Sequence, residues 1–393
     1  MMSCGSGDND QSTVPTTPTV PVQTSPTPIS TTLASSVNGL MSVKVEKLAT
    51  LATPYAVAPL ANGQALYLEA FNGLKILHHD GTTSSSVTGT PSNFYYPFDV
   101  ILAPDYQSTR RIFVSYAEFG PDRAETRGAD DGKGNGANLP VFSGILTIAK
   151  DGSGSLADVK VVWRQIPRTL AQGEFGGHLA FSPDSKYLFI TAGDRSSFLP
   201  AQDNANTLGK VVRIFPDGSI PTDNPYYGRA GLSPDIWTTG HRNPYGIAFD
   251  SVGRLWEHEH GPKGGDELNL IIPGANYGWP LVSWGSHYDD GVIVKPAPGD
   301  GFVAPTSYWT PAIAPSGMII YNAILFPKLI GYGIIGGLQS GGLVLVKFDG
   351  ETTQEVDRLP LNARIRDVRQ GPDGAIWVVE DRPTGNLLRI IPN

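Results

Sequence analysis

From about position 42 the chain alternates apolar and polar residues in short runs, and no segment sustains a helical period. The runs are rich in β-branched and aromatic residues and are punctuated by Gly, Pro and Asp-Gly, the composition of strands and tight turns. Several segments share one plan: an apolar strand, a turn, a second strand, then often a closing Asp-Gly. It occurs in GQALYLEAFNGLKILHHDG (63–81), in RRIFVSYAEFG with SGILTIAKDG (110–120, 143–152), and in KYLFITAGDR with GKVVRIFPDG (186–195, 209–218). It returns in GIAFDSVGRLWEHEHG with DELNLIIPG (246–261, 266–274), in LIGYGIIGGLQSGGLVLVKFDG (329–350) and in IRDVRQGPDGAIWVVEDRPTGNLLRIIP (365–392). Six weakly similar units, recurring at roughly 40–75 residues, predict an all-β, six-bladed β-propeller over residues 42–393. Two stacked sandwiches are the alternative. In a propeller, loops from distant blades converge on the axis, so residues far apart in sequence can build one site.

Composition agrees with strands. The 393 residues include 46 Gly and 33 Pro, high for a helical chain and ordinary for one of short strands and turns. A formal net charge of -8 argues against a nucleic-acid partner, which would need clustered Lys and Arg. No window approaches the roughly 18 apolar residues of a membrane span. The single cysteine, Cys4, excludes an intrachain disulfide and a Cys-based metal site. Residues 1–41 read as a disordered Ser/Thr/Pro-rich leader, and Cys4 followed by such a tether resembles the start of a bacterial lipoprotein. Two readings stay open, a lipid anchor and a plain leader. The expected location is exported: periplasmic, or an outer-membrane or cell-surface lipoprotein.

Candidate chemistry lies in the loops. The stretch QGEFGGHLAFSPDSKYLFITAGDR (172–195) places two proton carriers, Glu174 and His178, beside flexible backbone just ahead of a strand. In TTGHRNPYGIAFD (238–250), Arg242 and Asn243 put a guanidinium and an amide on a tight loop, a pair suited to a carboxylate or quinone oxygen. HGPKGGDE (260–267) offers backbone carbonyls and then two adjacent carboxylates, hard oxygen donors that suit Ca2+ rather than zinc. His258 and His260 flank Glu259 on one side of a strand and are expected to orient the Gly261 loop. His241 is expected to buttress Arg242. Trp237, Trp256 and Trp377 read as core, and DRPTGN (381–386) as a surface turn. Aromatic-rich insertions at 281–315, with the Gly-rich segment 120–142, are expected to set ligand selectivity.

Taken in order, GHRNPYG, EHGPKGGDELN, NYGWP, YWTPAIAPSGM and RIRDV resemble the soluble aldose sugar dehydrogenases, over roughly residues 45–392. That family consists of six-bladed propellers using pyrroloquinoline quinone (PQQ) and calcium. The resemblance implies that Arg242 and Asn243 face the quinone and that Arg364 and Arg366 hold its carboxylates. It implies that the Gly261 and Pro262 carbonyls bind the calcium bridging protein and cofactor. Glu267, with Asp266 nearby and the Tyr277 carbonyl, matches a second, structural calcium. A trianionic quinone needs cations for its charge and a divalent metal to polarise its reactive carbonyl.

The chain departs from the family at three positions. Where the family has a catalytic His in a pattern like His-Phe-Gly-x-Arg-Leu, this chain has EFGGHL, with Glu174 at the base and His178 at the arginine. Phe94 stands where a glutamine faces the cofactor, and Gln339 falls where a lysine usually binds the quinone. The expectation is PQQ- and Ca2+-dependent oxidation of an aldose to its lactone, with Glu174, His178 and Arg242 catalytic and a soluble electron acceptor as partner. The alternative is a quinone-free hydrolase or lyase using Glu174 and His178 on a carbohydrate- or lactone-like substrate. The expected oligomeric state is a monomer or homodimer.

Overall fold

A computed structural model describes residues 25–120, 136–170 and 173–393. The Cys4 reading and most of the 120–142 insertion therefore lie outside the described residues. Six antiparallel sheets are arranged in a ring, and each of the six repeated units falls in its own blade. Their innermost strands, in chain order, are Pro54–Pro59, Tyr96–Leu102, Gly176–Phe181, Pro244–Phe249, Pro315–Ile320 and Ile365–Gln370. Each packs beside the next, and the last packs beside the first. The ring closes through the chain ends: Ser42–Ala52 pairs with Thr384–Pro392 in the sixth blade.

Regular structure reaches upstream of position 42. Ser30–Ser35, within the expected leader, is the outermost strand of the same blade and pairs with Ser42–Ala52. Its side chains are mostly exposed, so no apolar alternation marks it, and backbone pairing alone recruits it to the edge. The core fills the spaces between blades. Trp256 and Trp377 are fully buried there, and Trp256 meets Phe348 edge-on with ring centroids 4.6 Å apart. Trp237 instead is half-buried, with the Arg213 guanidinium 4.1 Å from its centroid.

One irregularity recurs in every blade. The register between first and second strands slips at the first residues, after Pro54, Pro97, Gly176, Pro244, Pro315 and Ile365. Such bulges re-aim side chains. Among the residues skipped are Tyr55, Phe98, His178, Tyr245 and Arg366, and these meet one another at the axis. Just below, Asp99 and Asp367 accept N–H bonds from the inner strands of neighbouring blades, Leu179 at 2.9 Å and Val57 at 3.0 Å. Arg369 pairs with both carboxylates, so ion pairs brace the narrowest part of the ring.

Candidate active site

Antiparallel pairing places the start of each inner strand, and the loop joining second and third strands, at the same end of the ring. Arg242 and Asn243 lie there, between Ile236–Thr239 and Pro244–Phe249. Glu259 fixes their loop. Its Oε2 accepts from the Arg242 N–H at 2.5 Å, and its Oε1 lies 3.0 Å from His241 Nδ1. His241 thus buttresses Arg242 through a shared carboxylate, a residue that sequence reasoning did not single out for this task. Arg242 Nη1 donates to the carbonyls of Gly261 and His260, at 2.9 and 3.2 Å, while Nη2 contacts the Glu174 carboxylate. Only glycine fits at 261, because a Cβ would run into the carbonyls of Gly264 and Gly265.

His260 ties this loop to its neighbours. Its Nε2 donates to the Pro315 carbonyl at 2.6 Å, which leaves Nδ1 to accept from Asn243 Nδ2 at 3.2 Å. Asn243 Oδ1 accepts from the Gly176 N–H at 3.0 Å, joining blades three and four. Burial lowers the His260 pKa to about 4, so the ring is neutral at physiological pH. His258, the second flanking histidine, is buried over Gly246, where a Cβ would collide with it. Its charged form is opposed by burial and then by His178 and His260.

Across the axis, the Tyr245 hydroxyl donates to the Tyr55 hydroxyl at 2.7 Å. Tyr245 stacks on His260 with centroids 5.3 Å apart and planes 7° from parallel. Arg366 Nη1 donates to Tyr245 Oη at 3.0 Å, and its guanidinium lies 4.7 Å from the Tyr55 centroid. Arg364 joins the same mouth, donating to the Leu338 carbonyl at 3.0 Å. Both arginines hold Asp381: Arg364 reaches Oδ2 at 2.6 and 2.7 Å, and Arg366 reaches Oδ1 at 2.7 and 3.1 Å. The DRPTGN turn is therefore part of the mouth, through its aspartate. Gln339, next in the chain after Leu338, is exposed, its backbone N–H bonded to the Ile313 carbonyl at 3.0 Å. Phe94 turns into the second blade against Tyr116 and Phe142.

The structure separates Glu174 from His178. Glu174 stays at the mouth with φ of 50°, a strained region for a side chain of its size. It pairs with Arg242 and accepts from Ser196 Oγ at 2.8 Å. His178 is buried on the inner strand, 4.6 Å from the Tyr245 ring, and burial lowers its pKa to about 3. A base that holds no proton until such acidity, set below the tyrosine bridge, is packed as floor and not aimed at the mouth.

The expected calcium ligands divide into two groups. Glu267 and Tyr277, with Glu259 and Gly265, line a small void of about 10 Å³, room for one water-sized sphere. Burial, and then the neighbouring Glu259, push the Glu267 pKa well above its usual value. Glu257 Oε1, next to this group, has no hydrogen-bond partner. Buried carboxylates crowded around a void fit a hard divalent cation. Asp266 serves mainly as a brace, accepting from the N–H groups of Gly261 at 3.0 Å and Ala314 at 2.7 Å. At the mouth, Pro262 is buried, and the Gly261 carbonyl already holds Arg242. The mouth fits an anionic guest through Arg242, Arg364 and Arg366, whose present partners include the carboxylates of Glu174 and Asp381.

The chain matches the family model described as Glucose / Sorbosone dehydrogenase over residues 51–389. It is 36% identical over 351 residues to Aldose sugar dehydrogenase YliI of Escherichia coli, covering 86% of this chain and 90% of that protein. The crystal structure of the soluble aldose sugar dehydrogenase from Escherichia coli in the apo-form superposes with a TM-score of 0.80 at 36% identity, covering 89% of this chain and 100% of that one. Quinoprotein glucose dehydrogenase B of Acinetobacter calcoaceticus is 30% identical over 299 residues, 54% of this chain and 60% of that protein. The shared motifs, the six-bladed ring and the arginine-lined mouth converge on one assignment: the chain is an oxidoreductase of the glucose/sorbosone dehydrogenase family.

Proposed function

We propose that the protein oxidises an aldose at its anomeric carbon to the lactone, using PQQ and Ca2+. The reading rests on one observation: Arg242, Arg366, Asn243 and Glu174 gather around the His260–Tyr245 stack. His260 feels the charges of Arg242, Arg366 and Glu174 together, as expected of groups from different blades that address one guest. PQQ, when bound, would supply the hydride acceptor. Arg364 and Arg366 would hold its carboxylates, and Arg242 with Asn243 its carbonyl edge. The Gly261 and Pro262 carbonyls would hold the bridging calcium, with the structural cation between Glu267 and the Tyr277 carbonyl. Glu174 takes the hydroxyl proton of the sugar, and Arg242 keeps its carboxylate aimed at the mouth. Electrons would pass to a soluble acceptor, and the Ser/Thr/Pro-rich leader supports an exported protein.

The deciding experiment adds PQQ and Ca2+ to the purified protein and follows the absorbance of bound quinone and sugar-dependent reduction of a dye. Absence of quinone binding to a folded protein removes the proposal. A second reading follows from the ion pairs already present. With Glu174 on Arg242 and Asp381 shared by Arg364 and Arg366, two of the mouth's three positive charges are balanced from within, which favours quinone-free acid–base chemistry on a carbohydrate or lactone. Hydrolysis or elimination without quinone, abolished in Glu174→Gln, would establish it.

A further inference from the structure

We propose that Phe71, backed by Tyr95 and Tyr96, is a stacking subsite at the rim of the mouth for a neutral sugar ring away from the reacting end of an oligosaccharide. Phe71 lies in the turn between Ala65–Glu69 and Gly73–Leu77, the second and third strands of the first blade, so it stands at the same end of the ring as Arg242. It is 63% exposed, and its φ is 69°, a region that a side chain of this size enters only at a cost. The turn is nonetheless fixed. The Asn72 N–H donates to the Glu69 carbonyl at 3.2 Å, and the Ser86 hydroxyl donates to the Asn72 carbonyl at 2.8 Å. A lone exposed apolar residue would need no explanation, but Phe71 is not alone.

Tyr96 and Tyr95 meet Phe71 edge-on, with ring centroids 5.2 and 5.7 Å away, and Phe119 supports Tyr95 at 5.2 Å. This packing holds an exposed ring still, so a guest that covers it orders little that was not already ordered. Rings lead inward from there. Tyr96 lies 5.3 Å from Tyr55, over which Arg366 sits, and 5.7 Å from Phe98. Phe98 in turn packs at 4.8 Å on Phe175, the residue after Glu174. The shelf is therefore continuous with the place where the anomeric carbon would react, at a remove of several ring contacts. A pyranose carries C–H groups on its faces, and their partial positive charge suits the negative face of an aromatic ring. Its hydroxyls need polar neighbours, and Asn72, next in the chain and exposed, offers an amide. Phe71 and its two tyrosines bring no charge, which favours a neutral ring here over an anionic guest.

The role of the subsite in turnover rests on the dehydrogenase reading, but its binding does not, and it is tested without quinone. Saturation-transfer NMR on the purified protein would compare glucose with maltotriose and cellotriose. At least one trisaccharide should bind roughly 3- to 10-fold more tightly than glucose, the equivalent of covering about half of a phenylalanine side chain. Phe71→Ala should bring that ratio close to one, and Phe71→Trp should keep it. Phe71→Gly, which relieves the positive φ, should melt no lower than wild type and should also lose the preference. No preference for either trisaccharide, or a preference that survives in both Phe71→Ala and Phe71→Gly, overturns the proposal. So does a Phe71→Ala variant that loses self-association in sedimentation while keeping the sugar ratio, because the shelf would then be a contact between copies of the chain. In the active enzyme, Phe71→Ala should lower kcat/KM for the trisaccharide relative to glucose by the same factor, through KM. A failed dehydrogenase reading would show as missing quinone binding and would leave the NMR ratio standing.

Discussion

Asp381→Asn should separate the stability of the mouth from its affinity for anions. Arg366, with only 14% of its side chain exposed, loses its carboxylate, which for a buried pair costs about 3 kcal/mol or more. Arg364 is 50% exposed, so its half of the arrangement is worth under about 1 kcal/mol. Burial pushes the Asp381 carboxyl up, but Arg366 and Arg364 outweigh it and hold the pKa below the ordinary range. The stabilisation is therefore present above the usual carboxylate pKa and is lost as pH falls through the depressed value. In the variant that acid-side loss should vanish from urea titrations. The two freed guanidinia, in turn, offer charge-assisted bonds of about 1.5–3 kcal/mol each to an incoming carboxylate. After reorganisation, a gain of roughly 10- to 100-fold in PQQ affinity is expected, read by quenching of tryptophan fluorescence in calcium buffer. A folded variant that binds PQQ more weakly than wild type would refute the reasoning, because Asp381 would then align the arginines and not compete for them.

Three further outcomes follow from the geometry. A calcium chelator should lower the melting temperature of wild type but leave Glu267→Gln unmoved, and equal drops in both would remove Glu267 from a cation site. Tyr245→Phe strands the Tyr55 hydroxyl and one Arg366 donor, at a cost of about 1–3 kcal/mol in denaturant unfolding. Combined with Tyr55→Phe the losses should be clearly less than additive, and full additivity would mean the two rings act independently. Removing residues through Ser35 should cost little, since Ser30–Ser35 is an exposed edge strand. Removing residues through Ala52 opens the ring and should abolish cooperative thermal unfolding by circular dichroism.

The propeller was legible because each unit repeats the same alternation and turn chemistry, and local patterning needs no knowledge of distant partners. Motif order marked Arg242, Asn243, Gly261 and Arg366, which the fold places at one end of the ring. What escaped was pairing across the ring. Tyr55 and Tyr245 are 190 residues apart, and neither looks unusual in its own strand. Asp381 sat in a segment read as a surface turn, since nothing local shows that Arg364 and Arg366, one just before and one on the strand Ile365–Gln370, fold onto its carboxylate. His178 was read with Glu174 because they are four residues apart. The bulge after Gly176 sends the imidazole to the axis and leaves the carboxylate at the rim.

The joining of Ser42–Ala52 to the last strand, Thr384–Pro392, bears on how the protein is made. Thr50 lies beside Asn386 in the closed sheet, 336 residues later in the chain. At synthesis rates of about 5–20 residues per second, Ser42–Ala52 waits on the order of 20–70 s for its partner. During that interval a strand with Val43, Leu48 and Leu51 on its buried face has an unpaired edge, an invitation to pairing between nascent chains. A holdase that keeps the amino-terminal strand apart until the carboxy-terminal one emerges would suppress that aggregation.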